Sequence, residues 1–146
     1  MNPQLSYRES AVRGAGPLRL VVLLYEQAIA DLRRALAALD QGNIEARTRD
    51  INHALLVIGH LQASLDKDQG GQVAVNLDRF YTQLRTGLMK AQIQQSATLL
   101  EQQLSHLMLV HQAWCEVDRA TTAATAPSPA QPQAEGGQPA RTLWTA

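Results

Sequence analysis

Histidine and cysteine are the side chains of this 146-residue chain with the widest chemical reach, and only four histidines and one cysteine are present. His111 and Cys115 stand four apart, a spacing that brings imidazole and thiol to one face of a helix. Two ligands do not make a metal site, and no other His or Cys shares that helix spacing to complete one, so the pair reads as an imidazole beside a small buried thiol. Asp50-Ile-Asn-His53 resembles half of a di-iron motif, but such a centre in a helical bundle needs two Glu-x-x-His motifs and two further inward glutamates. The sequence has no Glu-x-x-His. No metal and no cofactor is therefore expected.

His53 and His60 lie two helical turns apart within HALLVIGH. A lone histidine on a four-helix bundle can carry a phosphoryl group if a nearby cation stabilises the charge. Leu55, Leu56 and Val57 follow where that cation belongs. A histidine phosphotransfer module centred on His53 is thus an alternative reading with its central requirement unmet. Gly70-Gly71 has no Lys-Ser or Lys-Thr behind it and is not a phosphate loop. Cys115 has no cation beside it to form a reactive thiolate. Nothing in the sequence points to an enzyme.

The elements that carry these residues are helices. Pro17 suits the first turn of one that runs to about Asp40, with Leu18, Val21, Tyr25, Ala28, Leu32, Leu36 and Leu39 forming its stripe. Gly42 is a natural stop and Asn43 a natural N-cap for a second helix reaching Asp66. Its stripe is Ile44, Ile51, Leu55, Ile58, Leu61 and Leu65, and Gly59 within it suggests close approach of a neighbouring backbone. Asp66 to Gly71 reads as a polar loop. The third helix covers Gln72 to Gln94, with Val73, Leu77, Phe80, Leu84, Leu88 and Ala91 on one face. Ser96 caps a fourth, striped by Leu99, Leu100, Leu104, Leu107, His111, Trp114 and Val117, which stops near Arg119.

Four of the six prolines lie after Thr121, where large apolar residues are few and periodicity is lost. The expected organisation is an N-terminal cap segment (residues 1–16), an all-α antiparallel up-down four-helix bundle (17–119) and a disordered Pro/Ala/Gln-rich tail (120–146) ending near Trp144. Short connections make successive helices antiparallel neighbours.

Charge and hydropathy narrow the function. Thirteen basic residues balance thirteen acidic ones, which gives no pull toward nucleic acid or an anionic membrane. Arg33-Arg34 and Arg47 with Arg49 read as a solvated helix face. The most apolar run, Leu18 to Tyr25, contains Arg19 and is far shorter than the roughly 20 residues that span a bilayer. The N-terminus lacks the basic start and apolar run of a signal peptide, so the cytoplasm is the expected location. Yet LRLVVLLY is apolar on nearly every side, and so are Ala54 to Ile58 and Leu107 to Val110. Such helices need cover on more than one face. A broad central layer, residues 1–16, a second copy of the chain or a partner protein would each supply it.

The order of several short motifs resembles the flagellin-specific secretion chaperones, the FliS family. The motifs are Tyr7-Arg8, Pro17-Leu18 before LLYEQAI, GNIEAR at the second helix, Leu61 with SLD at Ser64 to Asp66, GGQVAVNLDRFY from Gly70 to Tyr81, then Leu84, Leu88, Ala91 and Trp114. The resemblance implies an antiparallel helical bundle that holds the disordered C-terminal segment of flagellin in the cytoplasm. It implies that the client wraps around the bundle as helices in grooves, is kept from polymerising early, and is delivered to the flagellar type III export apparatus, whose gate components are further partners. The residues it offers for client contact are Tyr7, Leu20, Leu24, Leu77, Tyr81 and Leu84, with core packing the competing role for each. It implies no catalysis and no membrane insertion, and leaves monomer and weak homodimer both open.

Overall fold

The computed structural model describes residues 17–125, which form four helices and, among the described residues, no strand. They are α1 (Pro17–Asp40), α2 (Ile44–Ala63), α3 (Lys67–Gln94) and α4 (Ala97–Thr125). The cap segment and all but the start of the tail lie outside the described residues, as do Tyr7 and Trp144. The chain divides into two units, Met1–Cys115 and Glu116–Ala146. The first holds the bundle, and the described part of the second continues α4.

Local chemistry sets the helix ends. Gly42 takes φ 71°. Its N–H reaches Leu39 O at 3.1 Å, and the Asn43 N–H reaches Ala38 O at 2.8 Å. This is a Schellman stop, which uses the left-handed residue that glycine adopts without strain. Asn43 then caps α2, its side chain accepting from Ala46 N at 3.1 Å. Ser96 caps α4 by accepting from Leu99 N at 3.1 Å.

Cross-links between helices fix the topology. Asp31 and Arg34 of α1 meet His53 and Asp50 of α2, so residue numbers rise on one helix as they fall on the other. Arg47 and Gln62 of α2 meet Gln92 and Asp78 of α3 in the same reversed order. Glu26 and Arg33 of α1 meet His111 and Met108 of α4, again reversed. Tyr25 of α1 and Tyr81 of α3 join across the diagonal. The result is the expected up-down four-helix bundle.

Its core is a mix of large and very small residues. Tyr25, Leu32, Ile51, Ile58, Leu61, Tyr81, Leu84, Leu88, Leu100 and Leu107 are enclosed, with Ala28, Ala35, Ala54 and Ala91 between them. Alanines at the helix crossings let backbones approach closely, and the large side chains fill what remains.

Several details depart from the sequence reading. Residues 67–70 are not a loop but a helical turn, capped by Asp66, whose Oδ1 accepts from Gln69 N at 3.0 Å. The break falls one residue later, at Gly71, with φ 57° and ψ −136°. The expected α3 stripe holds at Leu84, Leu88 and Ala91, which are buried, but not in the first half of the helix. Ala74 and Tyr81 are buried, whereas Val73 is 65% exposed and Phe80 only half-buried. Ile44, in the first turn of α2, is also exposed. Arg47 is buried rather than solvated, because its Nε donates to Gln92 Oε1 at 3.1 Å. A Cβ on Gly59 would meet nothing, so the close approach expected there is absent. The crowded glycine is Gly87, where a Cβ would collide with the side-chain amide of Gln103 on α4 and not with backbone. Helix α4 continues past the expected stop near Arg119 to Thr125. The tail opens with Thr and Ala, which permit helix, and the first proline after them is Pro127.

Candidate functional site: an apolar trough at one end of the bundle

The turn 67–70 and the kink at Gly71 open a trough where the start of α3 leaves the end of α2. Val21 of α1, Leu61 and Leu65 of α2 and its exit, Val73, Ala74, Leu77 and Tyr81 of α3, and Trp114 of α4 line it, with Ser64, Asp66, Gln69 and Gly70 at the rim. Its volume is about 360 Å³. The walls are almost wholly hydrocarbon, and the polar groups sit at the mouth.

Each wall has a local cause. Lys67 Nζ lies 3.3 Å from Asp78 Oδ2, tying the 67–70 turn to α3. Gln62 Nε2 donates to Asp78 Oδ1 at 2.9 Å, and Arg85 Nη1 donates to Gln62 Oε1 at 2.8 Å. Gln62 first, then Lys67, hold the Asp78 carboxyl below the usual carboxylate range. At the base, the Tyr25 and Tyr81 hydroxyls share a hydrogen bond of 2.9 Å, with ring centroids 6.2 Å apart. Burial pushes both phenols above their ordinary value. At Tyr25 the hydrogen bond to Tyr81 and the adjacent Trp114 indole partly offset it. The Trp114 Nε1–H is close enough to favour a Tyr25 phenolate, yet it lies outside hydrogen-bond geometry. Among the described residues it is a buried donor with no hydrogen-bond acceptor.

The residues expected to contact a partner separate into groups. Leu77 and Tyr81 line the trough. Leu77 is half-buried, while Tyr81 is 1% exposed and shows the trough only a small part of its surface. Leu20 and Leu24 are half-buried on α1 and do not line the trough. Leu84 is enclosed in the core. Val73 was expected on the buried stripe of α3 and residues 66–71 as a polar loop, and neither was legible as trough lining, because the trough forms only where residues of all four helices meet.

Apolar surface also remains elsewhere. Leu56 of α2, Met89 and Ile93 of α3 and Met108 and Leu109 of α4 are exposed, Ile93 at 80% and Leu109 at 70%. The surplus read from the all-round apolar runs is therefore real for part of the runs in α2 and α4, while Ala54, Val57, Ile58 and Leu107 are absorbed by the core and every apolar residue of the α1 run is buried or half-buried. His53 holds its Nδ1 2.6 Å from Asp31 Oδ2, and Arg34 and Gln27 reach the other oxygen of that carboxylate. His53 thus takes part in a clip between α1 and α2. No described helix is long and apolar enough to cross a membrane.

Comparison with known proteins agrees with this architecture. Residues 1–121 match the family model described as "Flagellar protein FliS". The flagellar secretion chaperone FliS of Salmonella typhimurium is 32% identical over 110 residues, covering 75% of this chain and 82% of the relative. The flagellar secretion chaperone FliSB of Pseudomonas aeruginosa is 32% identical over 106 residues, covering 73% and 84%. FliS of Vibrio cholerae is 28% identical over 109 residues, covering 75% and 80%. The motifs, the four-helix bundle and these matches agree: the chain belongs to the FliS family of flagellar secretion chaperones.

Proposed function

We propose that this chain binds the disordered C-terminal segment of flagellin in the cytoplasm, keeps it from polymerising, and hands it to the flagellar type III export apparatus. The observation that carries the reading is an apolar trough, open to solvent, on a bundle of this family. A client helix needs a hydrocarbon surface to fold against, and a trough with polar groups at its mouth fixes position without demanding sequence-specific pairing. Leu77, Val73 and the exposed edge of Tyr81 receive one client helix in this reading. Leu20, Leu24 and the exposed aliphatics of α2, α3 and α4 lie along the path of a client that wraps the bundle, and Tyr7 belongs to the same expected contact set. The client's ordering entropy offsets much of the burial gain, so the complex is tight enough to protect and loose enough to release. Binding and handover need no bond to be made or broken, so the function is non-catalytic.

The test is calorimetric titration with a flagellin C-terminal fragment, followed by far-UV circular dichroism of the mixture. Expected are saturable heat, a negative heat-capacity change and more helix than the two components sum to. Absence of both heat and added helix would overturn the proposal.

A further inference from the structure

Away from the trough, α1 and α4 bring three unlike donors together: the carboxylate of Glu26, the imidazole of His111 and the thiol of Cys115. His111 Nε2 lies 3.1 Å from Glu26 Oε2 and 3.4 Å from Cys115 Sγ. The three donor atoms all fall within 4.8 Å of one another. We propose that these side chains form a binding site for a borderline divalent transition-metal ion, with Zn(II) the occupant that their chemistry selects.

The donor set excludes most alternatives. Magnesium and calcium require shells of oxygen, and this cluster offers one carboxylate. Thiolate, imidazole and carboxylate together suit Zn(II), which binds at about 2.3, 2.0 and 2.1 Å respectively and prefers a tetrahedron. Those bond lengths place neighbouring donors about 3.3–3.6 Å apart. The two shortest separations here are within a few tenths of an ångström of that, before any side chain moves. Sγ also lies 4.0 Å from His111 Nδ1, beside the ring, so ligation requires the imidazole to turn its Nε2 lone pair toward a cation that all three groups then share.

The surroundings fit as well. The His111 and Glu26 side chains are 23% and 42% exposed, and Cys115 is half-buried. An open cavity of about 350 Å³ is lined by Glu26 and His111 with Ile29, Ala30, Arg33 and Met108 among its other walls. Water therefore reaches the cluster and can complete a fourth position, as in sites with three protein ligands. On binding, the thiol gives its proton to solvent and the sulfur takes the metal, so uptake is accompanied by proton release. An occupied site links α1 to α4 within one turn of Trp114.

The test uses the full chain, reduced and metal-free. Calorimetry with Zn(II) should give one ion per chain, with heats that depend on the buffer's ionisation enthalpy because protons are released. Co(II) should give a sulfur-to-metal charge-transfer band, and Zn(II) should shield Cys115 from a disulfide reagent. C115S should abolish the band. C115S and H111Q should each weaken Zn(II) binding by at least about 100-fold, E26Q by at least about tenfold, and H60Q not at all. Circular dichroism of each variant checks the fold, and the cobalt band reads thiolate ligation in the unaltered chain, independent of any variant. Cobalt uptake without that band, or zinc affinity unchanged in both C115S and H111Q, would overturn the site, as would absence of zinc binding. None of these outcomes depends on flagellin.

Discussion

Asp31 is a carboxylate with 0% exposure placed between two helices. Its two oxygens are shared by Gln27, Arg34 and His53, and Arg34 extends the clip to Asp50 of α2 at 3.5 Å. Replacing the buried carboxylate by an amide removes its charge and turns an NH2 toward those donors, although Arg34 and His53 themselves are 54% and 45% exposed and reach water. Asp31→Asn should therefore lower stability by about 2–3 kcal/mol in urea denaturation, although it conserves volume. The control is Arg33→Gln on the same helix, expected within about 0.5 kcal/mol of the unaltered chain. The tyrosine pair gives a second residue-scale test. Burial raises both phenols, so the folded chain keeps protons that the unfolded chain loses. Their stabilisation is intact below the unfolded value of about pH 10 and declines as pH rises past it. Urea midpoints measured across roughly pH 8 to 11 should fall above about pH 10. Tyr81→Phe should lessen that fall and cost about 1 kcal/mol at neutral pH by stranding the Tyr25 hydroxyl. An unaltered alkaline profile in Tyr81→Phe would place the titrating group elsewhere.

At the scale of the helix, the ends with local caps at Gly42, Asn43 and Ser96 were readable, whereas the end of α2, the start of α3 and the end of α4 were not. Gly42, Asn43 and Ser96 act within four residues of themselves, and each caps where its type predicts. The face of α3 was readable at Leu84, Leu88 and Ala91 but not in the first half of the helix. Phe80 and Tyr81 are adjacent aromatic residues, and the buried one, Tyr81, bonds a hydroxyl 56 residues away that no local period reveals. The glycines show the same limit: Gly59 and Gly87 look alike in sequence, but only the latter faces a neighbouring side chain. Gly59→Ala should therefore raise stability by about 0.5–1 kcal/mol through helix propensity alone. Gly87→Ala should lose that gain, because the buried Gln103 must move aside. Thermal melts of the two variants provide the comparison, and equal gains would contradict the close approach of α3 and α4. Glu26 with His111 and Cys115 was illegible for a related reason. The histidine and cysteine share a helix, but the third donor lies 85 residues from His111 and meets it only through the topology.

For the whole molecule, the bundle must be stable while leaving hydrocarbon uncovered. The structure separates these demands by position. Tyr81 and Leu84, though expected at the interface, are enclosed at 1% exposure and belong chiefly to the core. Val73 is 65% exposed, lines the trough and supports little of the fold. Substitutions at the two kinds of position should therefore have opposite signatures. Val73→Asp places a charge on the trough wall, where the folded chain alone keeps it in water but a docked apolar helix would strip that water away. Its melting temperature should stay within about 2 °C of the unaltered chain, as for a surface change of under 0.5 kcal/mol. Its affinity for a flagellin C-terminal fragment should fall about tenfold to a hundredfold, the loss expected at an interface anchor. Leu84→Ala should do the reverse, losing about 2–5 kcal/mol of stability through a core cavity. At a temperature where that variant remains folded, it should retain most of its binding. If Val73→Asp binds the fragment as the unaltered chain does, the client docks elsewhere. The exposed Met89, Ile93 and Leu109 would then be the next positions to test by the same charge substitution.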